Sequence, residues 1–236
     1  MDEYDRDDIC NIILGEWSAT EASILNNLKC RYSKGIIYTN ASRVLIAINP
    51  YKEMFDLYTE ELMEQYASTS KQLRPHVYSI ASQAICNLNE TKTSQTIFVT
   101  GESGSGKTES MKNIVEFLCK NKNSSLDIKN WIASMPVLEE FANAVTQNND
   151  NSSRFCKFIE FAYNHNGEIV GSRINTYSLE LNRVCEQNPH EENFRIFYTL
   201  LYGAPEKLKV ELSLSSQKYQ RIGNKANLLH STFGEH

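Results

Sequence analysis

This sequence has no long apolar run, no basic block and no closely spaced cysteines, and each absence removes a class of function. A membrane helix needs roughly 20 consecutive apolar residues, and no stretch here comes near that, so a membrane-spanning chain is not expected. The acidic start, Met1-Asp2-Glu3-Tyr4-Asp5-Arg6-Asp7-Asp8, has no apolar core behind it, so no secretory signal is expected there. Lysine and arginine number 24 against 29 acidic residues, for a net charge of −5, and they form no stripe. Without such a stripe there is little to neutralise a phosphate backbone, so nucleic acid is not an expected partner. Cys10, Cys30, Cys86, Cys119, Cys156 and Cys185 lie far apart with no C-x-x-C pair, which reads as reduced thiols rather than a metal or disulfide framework. His76, His165, His190, His230 and His236 show no ligand spacing.

What is present is ordinary globular material: 41% hydrophobic and 22% charged residues, enough for a sizeable core. The length of 236 residues suits one large domain or a piece of a larger one. Thr20 is a candidate cap for a helix whose apolar stripe is Ile24, Leu25 and Leu28. Val44 to Ile48 reads as a short buried strand stopped by Asn49-Pro50. Glu61 to Tyr66 and Val77 to Leu88 read as helices, as does Val137 to Ala144 after Pro136. Lys120 to Ser125 is the best surface-loop candidate. Phe155 to Phe161 and Glu168 to Tyr177 read as strands joined at Asn166-Gly167, a strong hairpin signal. Phe194, Phe197, Tyr198 and Leu201 mark a last helix before Gly203, and Leu212 to His236 is weakly patterned.

The chemistry concentrates between two of these elements. Thr96-Ile97-Phe98-Val99 reads as a strand, and Met111, Ile114, Val115 and Leu118 follow helical spacing. Between them stands Gly101-Glu102-Ser103-Gly104-Ser105-Gly106-Lys107-Thr108, a full match to G-x-x-x-x-G-K-[ST]. Glycines let successive backbone N–H groups turn toward one anion, because no Cβ blocks the approach. The helix that follows points the positive end of its dipole at the same place. Lys107 would reach the β- and γ-phosphates as a point charge, and the Thr108 hydroxyl would coordinate Mg²⁺. A chance match to the pattern occurs in roughly one chain in a hundred of this length, given glycine at about 7% of residues.

The extended loop, Gly101 to Glu109, resembles that of the myosin motor domain, in which alanine usually stands where this chain has Ser105. Further stretches agree in order: Leu45 to Lys52 with Tyr58, Pro75 to Ala81, Asn149 to Phe158, Ile174 to Val184, and Glu192 to Ala204. The resemblance spans about Asp8 to Ala204, with 205–236 weakly patterned, so residues 1–236 read as one partial motor domain. It implies an α/β fold of the P-loop NTPase class, with a central, twisted, mostly parallel sheet flanked by helices. It also implies ATP and Mg²⁺ as ligands and the actin filament as partner. The implied function is the ATP-binding portion of a cytoplasmic, cytoskeletal motor that couples Mg-ATP hydrolysis to movement along actin. Light chains or calmodulin follow only if a longer chain exists. Carried over by position, the loop residues Gly101, Glu102, Ser103, Gly104, Ser105, Gly106, Lys107 and Thr108 would hold the phosphates. Asn49, Pro50 and Tyr58 would border the adenine, with Lys52 and Glu109 nearby. Asn149 and Ser152 of the switch I segment would face the γ-phosphate beside Lys107, and Ser153 would join Thr108 on the metal. Arg154 would pair with a switch II carboxylate.

Several features depart from the family pattern. No Asp-x-x-Gly string of switch II occurs in the sequence, so hydrolysis by this chain alone is expected to be negligible. The expectation is a partial version of a longer myosin, with a short ATP- or ADP-holding module without turnover as the alternative. Cys156 stands where switch I has glycine, and Leu181-Asn182 replaces a more usual Lys-Ser before Arg183. A GTPase is disfavoured by the absence of Asn-Lys-x-Asp.

Overall fold

In a computed structural model of the protein, residues 20–68, 73–120 and 128–214 are described. The start Met1 to Asp8, Cys10, most of the loop candidate at 120–125, and the tail beyond Leu214 with His230 and His236 lie outside them. The chain divides into two units: Met1–Ile128 with Phe161–Gly171, and Lys129–Glu160 with Ser172–His236.

The first unit opens on helix α1, Glu21–Ser33. Thr20 caps it as expected: its Oγ1 accepts from Ser23 N–H at 3.2 Å, and the Ser23 Oγ accepts from Thr20 N–H at 3.0 Å. The buried face is not the apolar stripe, however. Asn27 and Arg31 are buried while Leu25 is 63% exposed. The helix docks by hydrogen bonding: Arg31 donates to the Thr39 hydroxyl and to the Tyr38 carbonyl, both at 2.9 Å. Strands β1, Tyr38–Ala41, and β2, Val44–Ala47, pair antiparallel with Tyr38 opposite Ala47. The second strand was expected to be buried, yet Val44 is 62% exposed, since only one face of a two-stranded ribbon can meet the core. A 3₁₀ turn, Phe55–Leu57, leads to α2, Glu60–Ser68. Helices α3, Val77–Thr91, and α4, Lys107–Lys120, follow. Their inner faces supply Val77, Tyr78, Ala81, Ile85, Ile114 and Phe117 to one core with Ile37, Tyr38, Met63 and Tyr66. Tyr78 and Phe117 stack at its centre, ring centroids 5.0 Å apart.

The strand expected at Thr96 to Val99 is not formed. Residues 94–100 have no ladder partner, Ile97 packs on the core, and Phe98 is 87% exposed. A parallel strand is stable only between neighbours that cover both its faces, and among the described residues nothing lies alongside it. For the same reason the expected central, mostly parallel sheet is replaced, among the described residues, by three separate two-stranded sheets.

In the second unit, helix α5 spans Ile128–Ala142 and continues through Pro136, where a helix start was expected. Proline removes one hydrogen bond and costs about 3 kcal/mol inside a helix. That cost is offset by packing, with Met135 only 2% exposed. The helix ends at Ala142 because Asn143 opens β3, Asn143–Thr146, which pairs antiparallel with β4, Asn149–Ser153. Strands β5, Cys156–Tyr163, and β6, Ile169–Tyr177, form the expected hairpin, whose tip, Phe161–Gly171, belongs to the first unit. Its turn is built by Asn164, whose Oδ1 accepts from Asn166 N–H at 3.0 Å and Glu168 N–H at 2.9 Å, with Gly167 at φ +76°. A second 3₁₀ turn covers Leu181–Val184, followed by α6, Arg195–Tyr198, a π turn Thr199–Gly203, and α7, Glu206–Glu211. No helix among the described residues is long and apolar enough to cross a membrane.

His76 sits at the N-terminus of α3, 2% exposed, ringed by Tyr38, Tyr58, Tyr66 and Tyr78. Its Nδ1 accepts from Tyr78 N–H at 3.1 Å, which caps the helix and leaves the ring proton on Nε2. Burial lowers its pKa from 6.5 to about 4. The unfolded imidazole therefore takes a proton near pH 6.5 and the folded one only near pH 4. Stability from this group is full above 6.5 and is lost as the pH falls toward 4. Between pH 7 and 5.5 the loss should be about 1 kcal/mol. His76→Asn keeps a capping acceptor but does not titrate. Urea unfolding should show a smaller drop for this variant over that interval, and equal drops would remove His76 from the pH response.

Candidate nucleotide-binding site

The loop between Gly101 and Lys107 is a compact series of turns whose conformation requires its glycines. Gly101, Gly104 and Gly106 lie at φ +153°, +78° and +90°, a region L side chains avoid. At Gly101 a Cβ would also meet the Ser105 Oγ at 2.7 Å, whereas at Gly106 the nearest neighbour is Asn49 at 3.9 Å. The Ser105 hydroxyl can rotate away, so glycine is required at both Gly101 and Gly106 by conformation. The Lys107 ammonium folds back over the loop, donating to the carbonyls of Gly101 and Glu102, both at 2.7 Å. It is the first residue of α4, so lysine charge and helix N-terminus coincide. Thr108 follows, half-buried, and Glu109 is exposed in the same turn, 3.2 Å from Lys112.

Asn49 ties the Asn49–Tyr51 turn to this loop. Its Nδ2 donates to the Gly104 carbonyl at 2.7 Å, and its Oδ1 accepts from Tyr51 N–H at 2.9 Å. The Pro50 carbonyl accepts from the Tyr32 hydroxyl at 3.3 Å, and Lys52 follows on the exposed turn. Tyr58, half-buried, bonds through its hydroxyl to Tyr38 at 2.8 Å. Burial raises its pKa, the hydrogen bond with Tyr38 works against the rise, and the charge of Glu109 adds to it. The first unit thus ties Asn49 directly to the loop, with Pro50 next to it in the chain and Glu109 in the first turn of α4.

The residues of Asn149 to Arg154 belong to the second unit. A polar loop was expected there, and the structure makes it strand β4. Asn149 Oδ1 accepts from Asn151 N–H at 2.9 Å, and Asn151 Oδ1 accepts from Asn143 at 2.9 Å and Arg195 at 3.1 Å. Alternation along the strand turns Ser152 inward, 2% exposed, and leaves Ser153 half-buried on the other face. Ser152 Oγ accepts from Arg154 at 3.2 Å. Cys156, at the start of β5, has a φ any residue can adopt, so replacing glycine there causes no backbone strain.

Arg154 finds its carboxylate inside this chain, donating to Glu180 Oε2 at 2.6 Å. The Arg154 hydrogen bond, joined by Arg183, holds the Glu180 carboxyl below the usual range. Arg183 is 3% exposed and binds Glu180 at 2.7 Å and Glu191 at 2.8 Å. Sequence reasoning missed Glu180 as the partner of Arg154, and Arg183 as the second cation on the same carboxylate. The i, i+3 spacing of Glu180 and Arg183 was a signal for their own pairing alone, because a 3₁₀ turn brings such residues into register.

Turning loop, helix N-terminus and aligned lysine together define a P-loop nucleotide-binding architecture. The sequence matches the myosin head (motor domain) family over residues 11–231, and the chain belongs to that family. It is 46% identical over 212 residues to myosin heavy chain 95F of Drosophila melanogaster, covering 89% of this chain and 17% of that protein. It is 40% identical over 223 residues to unconventional myosin-VI of Homo sapiens, covering 94% and 17%. With myosin-I heavy chain of Dictyostelium discoideum it shares 44% over 197 residues, covering 83% and 8%. The chain thus spans under a fifth of the length of these relatives.

Arg183 anchors the charged cluster, since the side chains of Arg183 and Glu191 are 3% and 13% exposed. Arg183→Ala strands that carboxylate and should cost about 3 kcal/mol in urea unfolding. Arg154→Ala, in a more exposed pair, should cost about 1 kcal/mol. The reverse order would show that Arg183 is not the anchor.

Proposed function

We propose that this chain is the nucleotide-binding front portion of an actin-based myosin motor, holding Mg-ATP between its phosphate loop and the Asn49–Tyr58 wall. One observation carries the reading. The Lys107 ammonium lies on the Gly101 and Glu102 carbonyls at the first turn of α4, where a triphosphate would be cradled. Backbone amides and one lysine suit phosphate oxygens, and the Thr108 hydroxyl suits a hard divalent cation, to which the resemblance would add Ser153. When bound, Mg-ATP would supply the phosphoryl group whose cleavage drives such motors, and the metal would offset the charge of its phosphates.

The chain's own residues then divide the work. Lys107 moves from carbonyl oxygens to phosphate oxygens, exchanging neutral acceptors for charged ones and so gaining strength. The amides of Gly104 to Thr108 and the α4 dipole stabilise negative charge. By the resemblance, Asn149 and Ser152 would offer an amide and a hydroxyl to the γ-phosphate, and Ser152 would first have to give up its bond from Arg154. Arg154 couples that movement to a carboxylate, Glu180 in the conformation described. The exposed apolar run at Thr96 to Val99 is proposed to take its strand neighbours from the rest of a motor domain, completing the central parallel sheet. Actin binding and a place in the cytoplasmic cytoskeleton come with the family membership.

Lys107→Ala should weaken Mg-ATP binding at least tenfold by calorimetry, since a charge-assisted contact is worth about 1.5–3 kcal/mol. Unchanged affinity would refute the loop assignment. Ser153→Ala should weaken binding in Mg²⁺ and leave Mg²⁺-free binding nearly intact. Equal losses in the two conditions would show that Ser153 is not a metal ligand.

A further inference from the structure

We propose that Tyr38 is the positioning residue for base recognition, fixing the Tyr58 ring from beneath and so setting affinity for the nucleoside independently of the phosphates. The inference rests on the reading of Asn49, Pro50 and Tyr58 as the base-side wall.

Tyr38 is the more firmly held of the two tyrosines. It is 4% exposed, and its backbone pairs with Ala47 on one side while Arg31 donates to its carbonyl at 2.9 Å. Its ring stands edge-on to His76, centroids 4.9 Å apart, and its hydroxyl meets that of Tyr58 at 2.8 Å. Tyr58, by contrast, follows the short 3₁₀ turn in an irregular conformation, φ −129° and ψ 33°. Its described ring contacts are with His76, 5.7 Å between centroids, and with Tyr78 at 6.4 Å. The hydroxyl pair is thus the one direct bond that joins Tyr58's ring to a paired strand. A flat aromatic wall binds a base well only if its ring is held before the ligand arrives, because ordering it on binding costs affinity. Removing the Tyr38 hydroxyl frees the ring and leaves the Tyr58 hydroxyl without this partner. The phosphate loop is untouched, since its tie to the base side runs through Asn49.

The test is calorimetric binding of ATP and of inorganic tripolyphosphate, both with Mg²⁺, to the full chain and to four variants. These are Tyr38→Phe, Tyr58→Phe, the double variant and Tyr58→Ala, each checked for fold by near-ultraviolet circular dichroism. Tyr38→Phe should weaken ATP binding about three- to tenfold, the size of one neutral hydrogen bond. Tripolyphosphate affinity should stay within about twofold, because no phosphate contact changes. Tyr58→Phe should match it, and the double variant should be no weaker, since all three lose the same bond. Parallel loss of ATP and tripolyphosphate in Tyr38→Phe would overturn the proposal, as would additive losses in the double variant. Unchanged ATP affinity in Tyr38→Phe beside a loss in Tyr58→Ala would overturn it while leaving the base wall standing. Unchanged affinity in Tyr58→Ala would remove the base wall itself.

Discussion

The stacking of Tyr78 on Phe117 holds helix α4 against α3, and the core of the first unit is gathered around that contact. Helix α4 must do two things at once. Its inner face, Ile114 and Phe117, is committed to the core with α3, while its first residue carries the lysine of the phosphate loop. A helix held along its length has an N-terminus fixed in space, and a fixed N-terminus makes its dipole and amides useful to an anion. The same core holds the base side, since Tyr38 and Tyr58 meet over His76 at the start of α3. Burial of that imidazole keeps it neutral near pH 7, so the aromatic cluster carries no charge beneath the site.

Electrostatics has the corresponding role in the second unit. Glu180 is shared by Arg154 and Arg183, and Arg183 also holds Glu191. The two arginines differ in consequence. Arg183 is 3% exposed and cannot lose its carboxylates without a large desolvation cost. Arg154, with its side chain 28% exposed, can exchange one partner for another at little cost.

The phosphate loop was fully legible in the sequence, because its chemistry depends on backbone conformation and glycine is the residue that permits it. The cap at Thr20, the hairpin at Asn166-Gly167 and helices α2 to α4 were legible for a similar reason, each being a local signal. What was missed depends on partners distant in the sequence. The run Thr96 to Val99 has strand composition, yet a strand needs neighbours that composition does not report. Helix α1 was assigned its apolar stripe as the buried face, but Arg31 and Asn27 won that place through hydrogen bonds. Pro136 was read as a helix start because a proline usually is one, and only the packing of Met135 explains why the helix continues. Glu180 was invisible as the partner of Arg154 because 26 residues separate them.

The two sides of the candidate site differ in how they tolerate sequence change. The phosphate side works through main-chain amides, so Ser105 can replace the family's alanine provided the φ values of Gly101, Gly104 and Gly106 are kept. The proposed base side would depend on side-chain position, since a displaced ring no longer presents the same face. Asn49 joins the two sides through one bond to the Gly104 carbonyl, accepted by an atom of the loop backbone rather than by a side chain. Substitution along the loop that preserves its path leaves that bond in place, whereas a change at Asn49 removes the bond together with one residue of the proposed base-side wall. The conserved quantity in such a site is the path of the loop, with side chains required only where they bridge to it.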